Sequence, residues 1–143
     1  MLEVALLGFL DGRRFALVNA QLLEKLVIAA VALHSLMLGA AMLFWPAWTL
    51  GVFGWEHDGS LFFPAQSGVF LLILGGAYMA GVWHRPFAWL LVASKATAVV
   101  FLVAEYVLAQ RLPLLLLAAL FDGLMGAAAA LAIAWSIRSQ SSR

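Results

Sequence analysis

The chain has no cysteine. Disulfides, thiol catalysis and cysteine-ligated metal sites are therefore excluded. Charge is almost as scarce: Asp, Glu, Lys and Arg make up 10% of the 143 residues, against about a quarter in ordinary soluble domains. Eight basic and seven acidic side chains nearly cancel, to a net charge of +1, so no electrostatic footprint for nucleic acid is present. Only four prolines interrupt the chain, Pro46, Pro64, Pro86 and Pro113. The alternation of apolar and polar residues that marks barrel strands is also missing. What remains is apolar, at 66% of residues. A soluble domain of this size cannot bury so much apolar surface. Lipid is the expected solvent, and the length fits a single membrane domain over 1–143.

Four stretches reach the ~20 residues that ~30 Å of hydrocarbon requires. They are Leu22–Trp45, Ala65–His84, Phe87–Gln110 and Pro113–Ile137. Backbone groups in lipid must pair internally, so each is expected to be a helix. The fold class is an all-α integral membrane protein, a four-transmembrane-helix bundle. Leu2–Leu10 is apolar but about half of spanning length, and Asp11-Gly12-Arg13-Arg14 follows it. Glu3 occupies the place of a positive n-region and no small-x-small cleavage site follows, so residues 1–20 read as an interfacial amphipathic helix rather than a signal peptide.

His84-Arg85-Pro86 and Arg111-Leu112-Pro113 read as tight turns, each proline at or near a helix start. The longer connection Pro46–Pro64 reads as a short interfacial helix followed by a polar turn at Glu56-His57-Asp58-Gly59. With the N-terminus in the cytoplasm, Arg13, Arg14, Lys25, Arg85, Arg138 and Arg143 fall inside and only Arg111 outside. The expected location is the cell inner membrane, multi-pass, with both termini cytoplasmic. The tryptophans agree, with Trp45, Trp48 and Trp55 at the outer interface and Trp83, Trp89 and Trp135 at the inner one. Small residues recur four apart at Ser35/Gly39, Gly76/Ala80, Ala77/Gly81 and Ala119/Gly123/Ala127, with Gly126 and Ala130 beside the last set. They suit close helix packing within the bundle, and a leftover small-residue face on the fourth helix would suit a homo-oligomer or a larger membrane complex.

Ionisable groups within spans are costly and are functional candidates for that reason. Lys95 and Asp122 together oppose insertion by roughly 5–7 kcal/mol, which the surrounding Leu, Phe and Val residues offset. At ~1.5 Å per residue, Lys95 lies roughly 12 Å from the inner end of its helix and Asp122 roughly 13–14 Å from the outer end of the next. The remaining axial gap of about 10 Å is shortened by the lysine stem, so a direct or water-bridged pair is expected. Glu105 lies roughly 9 Å below the outer end and competes for Lys95, with Tyr106 returning to the lysine's face. His34 and Tyr78 complete a polar core to which every helix contributes: His34, Tyr78, Lys95, Glu105, Tyr106 and Asp122. The plain interpretation is a buried ion pair that fixes helix register. The functional one is a ligand pocket, a proton relay or a redox-cofactor site, and such a cleft would suit the head group of a lipid-soluble molecule such as a quinone.

Haem is disfavoured, because His34 is the only histidine inside a span and His57 and His84 sit at opposite faces. Glu56-His57-Asp58 is a solvated turn rather than a metal site, since adjacent residues rarely converge on one ion.

The stretch Phe63-Pro64-Ala65-Gln66-Ser67-Gly68, continuing through Leu72 and Gly75 to Tyr78, carries a Gly-x-x-x-Leu-x-x-Gly-x-x-Tyr pattern. Ser94-Lys95 follows in the third span and Phe121-Asp122-Gly123 in the fourth. Over Phe62–Ala130 this resembles the broad DoxX-like group of small bacterial four-helix membrane proteins. The resemblance implies the four-helix fold and, through the subunit that gives the group its name, a link to quinone-dependent redox chemistry. Small multidrug transporters resemble the chain less. Their key glutamate lies in the first helix, where this chain has His34, with Glu24 only at the edge.

The functional expectation is an accessory or binding subunit rather than an enzyme, its polar core holding a quinone or a lipid. The competing expectations are a proton-coupled small-solute transporter, with Asp122 or Glu105 as the titrating carboxylate, and a purely structural assembly factor.

Overall fold

The computed structural model describes residues 2–55 and 59–141, with side chains described for 18–55, 59–109 and 111–141. The Glu56-His57-Asp58 turn lies outside the described residues. Those that are described form five α-helices and no strand. Helix α1 is Leu2–Phe44, α2 is Pro46–Val52, α3 is Phe62–Ala80, α4 is Arg85–Glu105 and α5 is Pro113–Ser141. Four segments are long and apolar enough to cross a membrane: Val18–Phe44, Phe62–Ala80, Arg85–Ala109 and Pro113–Ser141. The protein is a four-span helical bundle.

Helix α1 is longer than the sequence suggests. No break separates residues 2–20 from the first span; the helix is continuous over 43 residues. No proline occurs before Pro46, and the Asp11-Gly12-Arg13-Arg14 cluster changes polarity without removing a backbone hydrogen bond. At ~1.5 Å per residue, Val18–Phe44 alone exceeds the ~30 Å of hydrocarbon, so the turns before Val18 extend beyond it.

The short helix expected after the first span is present as α2, which starts on Pro46 and ends before Gly54 in the left-handed region (φ 68°). Helix α4 ends in a π-helical turn, Tyr106–Gln110, and Arg111 follows in the left-handed conformation (φ 39°). Arg111 reverses the chain just before Pro113 opens α5. All six tryptophans are exposed on the bundle surface, as residues of an interfacial belt would be.

Consecutive spans run antiparallel, and contacts form a ring α1–α3–α4–α5 that is tightest at α1–α3 and α4–α5 and loosest at α3–α4. The beginning of the first span, the Gly81–His84 turn and the end of α5 therefore share one end of the bundle, called here the Arg85 end. The apolar core draws Ile28, Val31 and Ala32 from α1, Tyr78 from α3, Ala88 and Leu91 from α4, and Ala129 and Ile133 from α5.

The α1–α3 seam depends on backbone meeting backbone. A Cβ built on Gly68 would stand 2.6 Å from the Leu43 nitrogen and 2.7 Å from the Gly39 carbonyl oxygen. Gly39 is one of the small residues the sequence singles out. On α3, however, the residues that meet α1 are Gly68 and Gly75, not Gly76, while Gly81, also singled out, abuts the Ala88 backbone of α4. Gly76 faces outward with nothing within 4 Å of its built Cβ. Two helical turns separate Gly68 from Gly75, so a spacing of seven puts them on one stripe. A run of small residues four apart gives the spacing of a stripe but not the side of the helix that meets a neighbour.

Candidate functional site

The polar centre is built on the α4–α5 hairpin. Lys95 of α4 lies against Gly126 of α5, where an added Cβ would approach the Lys95 Cβ to 3.1 Å. One turn back on the same stripe of α5 stands Asp122. The glycine lets the lysine stem lie along α5, and the ammonium reaches the carboxylate. Lys95 Nζ donates to Asp122 Oδ1 at 2.5 Å. The side chains retain 10% and 20% of their exposure, respectively. The pair is direct, and it sits inside two spanning helices.

Tyr78 enters from α3 and is buried. Its hydroxyl meets Ser94 Oγ at 2.5 Å, and Ser94 Oγ lies 2.9 Å from the Leu91 carbonyl oxygen, to which it donates. A serine hydroxyl has one proton. With that proton on Leu91, Tyr78 is the donor to Ser94. A neutral hydrogen-bonded chain therefore runs beside the ion pair, on the residue preceding Lys95.

His34 is placed differently from the polar core expected of it. It is exposed on the bundle surface and makes no hydrogen bond among the described residues, yet lies within electrostatic reach of both Lys95 and Asp122. Glu105 and Tyr106 are half-buried where α4 passes into its π-helical turn, and neither forms an ion pair or hydrogen bond with a described residue. Ten residues, or roughly 15 Å of helix, separate Glu105 from Lys95. The structure thus gathers Tyr78, Ser94, Lys95 and Asp122, puts His34 at their edge and leaves Glu105 and Tyr106 apart.

A second polar cluster escapes the sequence reading. Glu24, buried in α1, accepts from Arg85 Nη2 at 3.2 Å through Oε2 and at 3.4 Å through Oε1. The same nitrogen lies 3.4 Å from Ser136 Oγ, which also accepts from Gln140 Nε2 at 3.5 Å. One cluster thus joins α1, α4 and α5 at the Arg85 end. The available signal was an isolated acid in an apolar run at the same end as a turn arginine. Arg85 keeps 37% of its side-chain exposure, so water screens the pair. Glu24→Ala should lower stability by only about 1 kcal/mol, read as a small shift in the midpoint of detergent-induced unfolding.

Among the described residues no three His, Asp or Glu side chains converge as metal ligands. Compared with family models, curated proteins and solved structures, the chain matches none.

Proposed function

We propose that the protein is a membrane binding subunit that holds a lipid-soluble molecule with a hydrogen-bond acceptor, such as a quinone, against the flank of the Lys95–Asp122 pair. The observation that carries this is the state of the Lys95 ammonium. An ammonium has three N–H donors, and here one is used, on Asp122. The other two have no partner among the described residues, on a side chain that is 10% exposed within a spanning segment. Spare donors in a low-dielectric site favour an acceptor such as a quinone carbonyl. His34 offers a further donor at the bundle surface, where a hydrophobic ligand would arrive from lipid. The likeness to the DoxX-like group is part of the same proposal.

The orientation we propose puts both termini in the cytoplasm and the protein in the cell inner membrane. Lys25, Arg85 and Arg138 share one end of the bundle and Arg111 stands at the other, which supports that orientation. The N-terminal turns of α1, with Asp11, Arg13 and Arg14, then meet the cytoplasmic headgroups as an amphipathic extension.

The test is titration of the purified protein in nanodiscs with a short-tailed quinone analogue. Saturable binding is expected, weakened roughly tenfold or more in Lys95→Met, the scale of one buried charge-assisted hydrogen bond, and less in His34→Leu. Binding that is unsaturable, or unaffected by both changes, would sink the proposal. Proton-coupled transport has one observation in its favour, the partly exposed Asp122 carboxylate inside the bundle. Liposome proton flux lost in Asp122→Asn would assign that function instead.

A further inference from the structure

A groove of about 490 Å³ runs between α1 and α5 at the Arg85 end, apart from the polar centre. Its walls are Leu23 and Val27 of α1 and Ala128, Leu131, Trp135 and Arg138 of α5. The volume falls within the ~300–1,000 Å³ of small-molecule sites. Ala132 and Ala134 of α5 complete the lining. Most of the lining is apolar and belongs to spanning segments, so hydrocarbon is the medium that fills it. The exception is Arg138, in the last turns of α5, which is exposed and forms no ion pair or hydrogen bond with a described residue. Trp135, one turn before it, is also exposed, as an interfacial anchor would be.

An apolar channel that ends in a guanidinium with no partner among the described residues has the two chemistries of an anionic lipid in the right order. We infer that this groove binds one anionic phospholipid, its acyl chain along Leu23, Val27 and Leu131 and its phosphate on Arg138. A guanidinium can grip a phosphate through two parallel hydrogen bonds. The balance of charge at this end favours an anionic over a zwitterionic headgroup. Among residues with described side chains, Lys25, Arg85 and Arg138 stand against a single acid, Glu24, which Arg85 already engages. Basic pockets between spanning helices are a general means of holding anionic headgroups.

The experiment is native mass spectrometry of the detergent-purified protein with phosphatidylglycerol or phosphatidylcholine of identical acyl chains. The expected result is one lipid retained, with phosphatidylglycerol preferred about fivefold, the worth of one basic residue at an anionic surface. Arg138→Gln should erase the preference and Arg138→Lys should keep it. Ala128→Phe, which fills the groove from an exposed position, should reduce retention of both lipids. Equal retention of the two lipids by the native protein would overturn the inference. So would a phosphatidylglycerol preference that survives Arg138→Gln, or unchanged retention in Ala128→Phe. Both positions are exposed, so circular dichroism should show native helicity in every variant.

Discussion

Gly68→Val should be the most damaging single substitution in the protein, costing about 3 kcal/mol or more. Overpacking a core usually costs about 1–3 kcal/mol, because flexible neighbours move aside. Here the neighbours of the new Cβ are backbone atoms, the Leu43 nitrogen at 2.6 Å and the Gly39 carbonyl oxygen at 2.7 Å. Neither can rotate away. Relief requires moving α1 from α3, and in lipid that seam is held by close packing rather than by exclusion of water. Gly76→Ala is the matched control: its built Cβ meets nothing within 4 Å, and alanine favours helix by up to ~1 kcal/mol in water. Detergent-titrated unfolding, followed by circular dichroism, should show a large loss for the first variant and none for the second. Equal effects of the two would mean that α1 and α3 do not meet at Gly68.

Breaking the central ion pair from either side should cost roughly 3 kcal/mol. Removing one partner of a buried pair typically costs about 3–5 kcal/mol because the other charge is left uncompensated. Partial exposure reduces that figure here: Asp122 keeps 20% of its side-chain exposure, and Lys95 left alone can extend its stem toward the interface. Lys95→Met and Asp122→Leu should therefore each be clearly destabilising in the same unfolding assay. A change below about 0.5 kcal/mol in both would show that the pair does not form in the membrane.

Much of the architecture could be read from hydropathy, which reports depth. Depth places four spans, two tight turns and the short helix that begins on Pro46. It also brings Lys95 and Asp122 close enough in height for a lysine stem to join them. What hydropathy does not report is the direction a residue faces around its helix. In a chain this apolar, lipid-facing and core-facing residues look alike, so periodicity says little. For that reason Gly76 reads as a packing residue although Gly68 and Gly75 make the contact. For the same reason His34 is at the right depth for the polar core yet lies on the bundle surface. The Glu24–Arg85–Ser136 cluster is hidden for a different reason: its members come from three helices and meet only once the ring closes. The continuity of α1 past residue 20 reflects a distinction between polarity and breakage. Asp11 and Arg13 mark a change in polarity, and only a proline or a cap would have marked an end of the helix.

Ser94 was legible only as the neighbour of Lys95 in a motif. Its role follows from geometry, as the acceptor that satisfies a buried tyrosine. Tyr78→Phe removes that donor but leaves Ser94 bonded to Leu91, so no polar group is orphaned.

The most direct test of the polar centre is the full double-mutant cycle of Lys95→Met and Asp122→Leu, measured by unfolding in a lipid-like environment. Polar contacts between membrane helices average only about 0.6 kcal/mol in such cycles, because the unfolded state in the membrane also finds partners. A direct ammonium–carboxylate contact that is largely buried should exceed that. The account predicts a coupling of at least about 1.5 kcal/mol, with the double variant close to either single one. A coupling near zero, with the two losses simply adding, would contradict it.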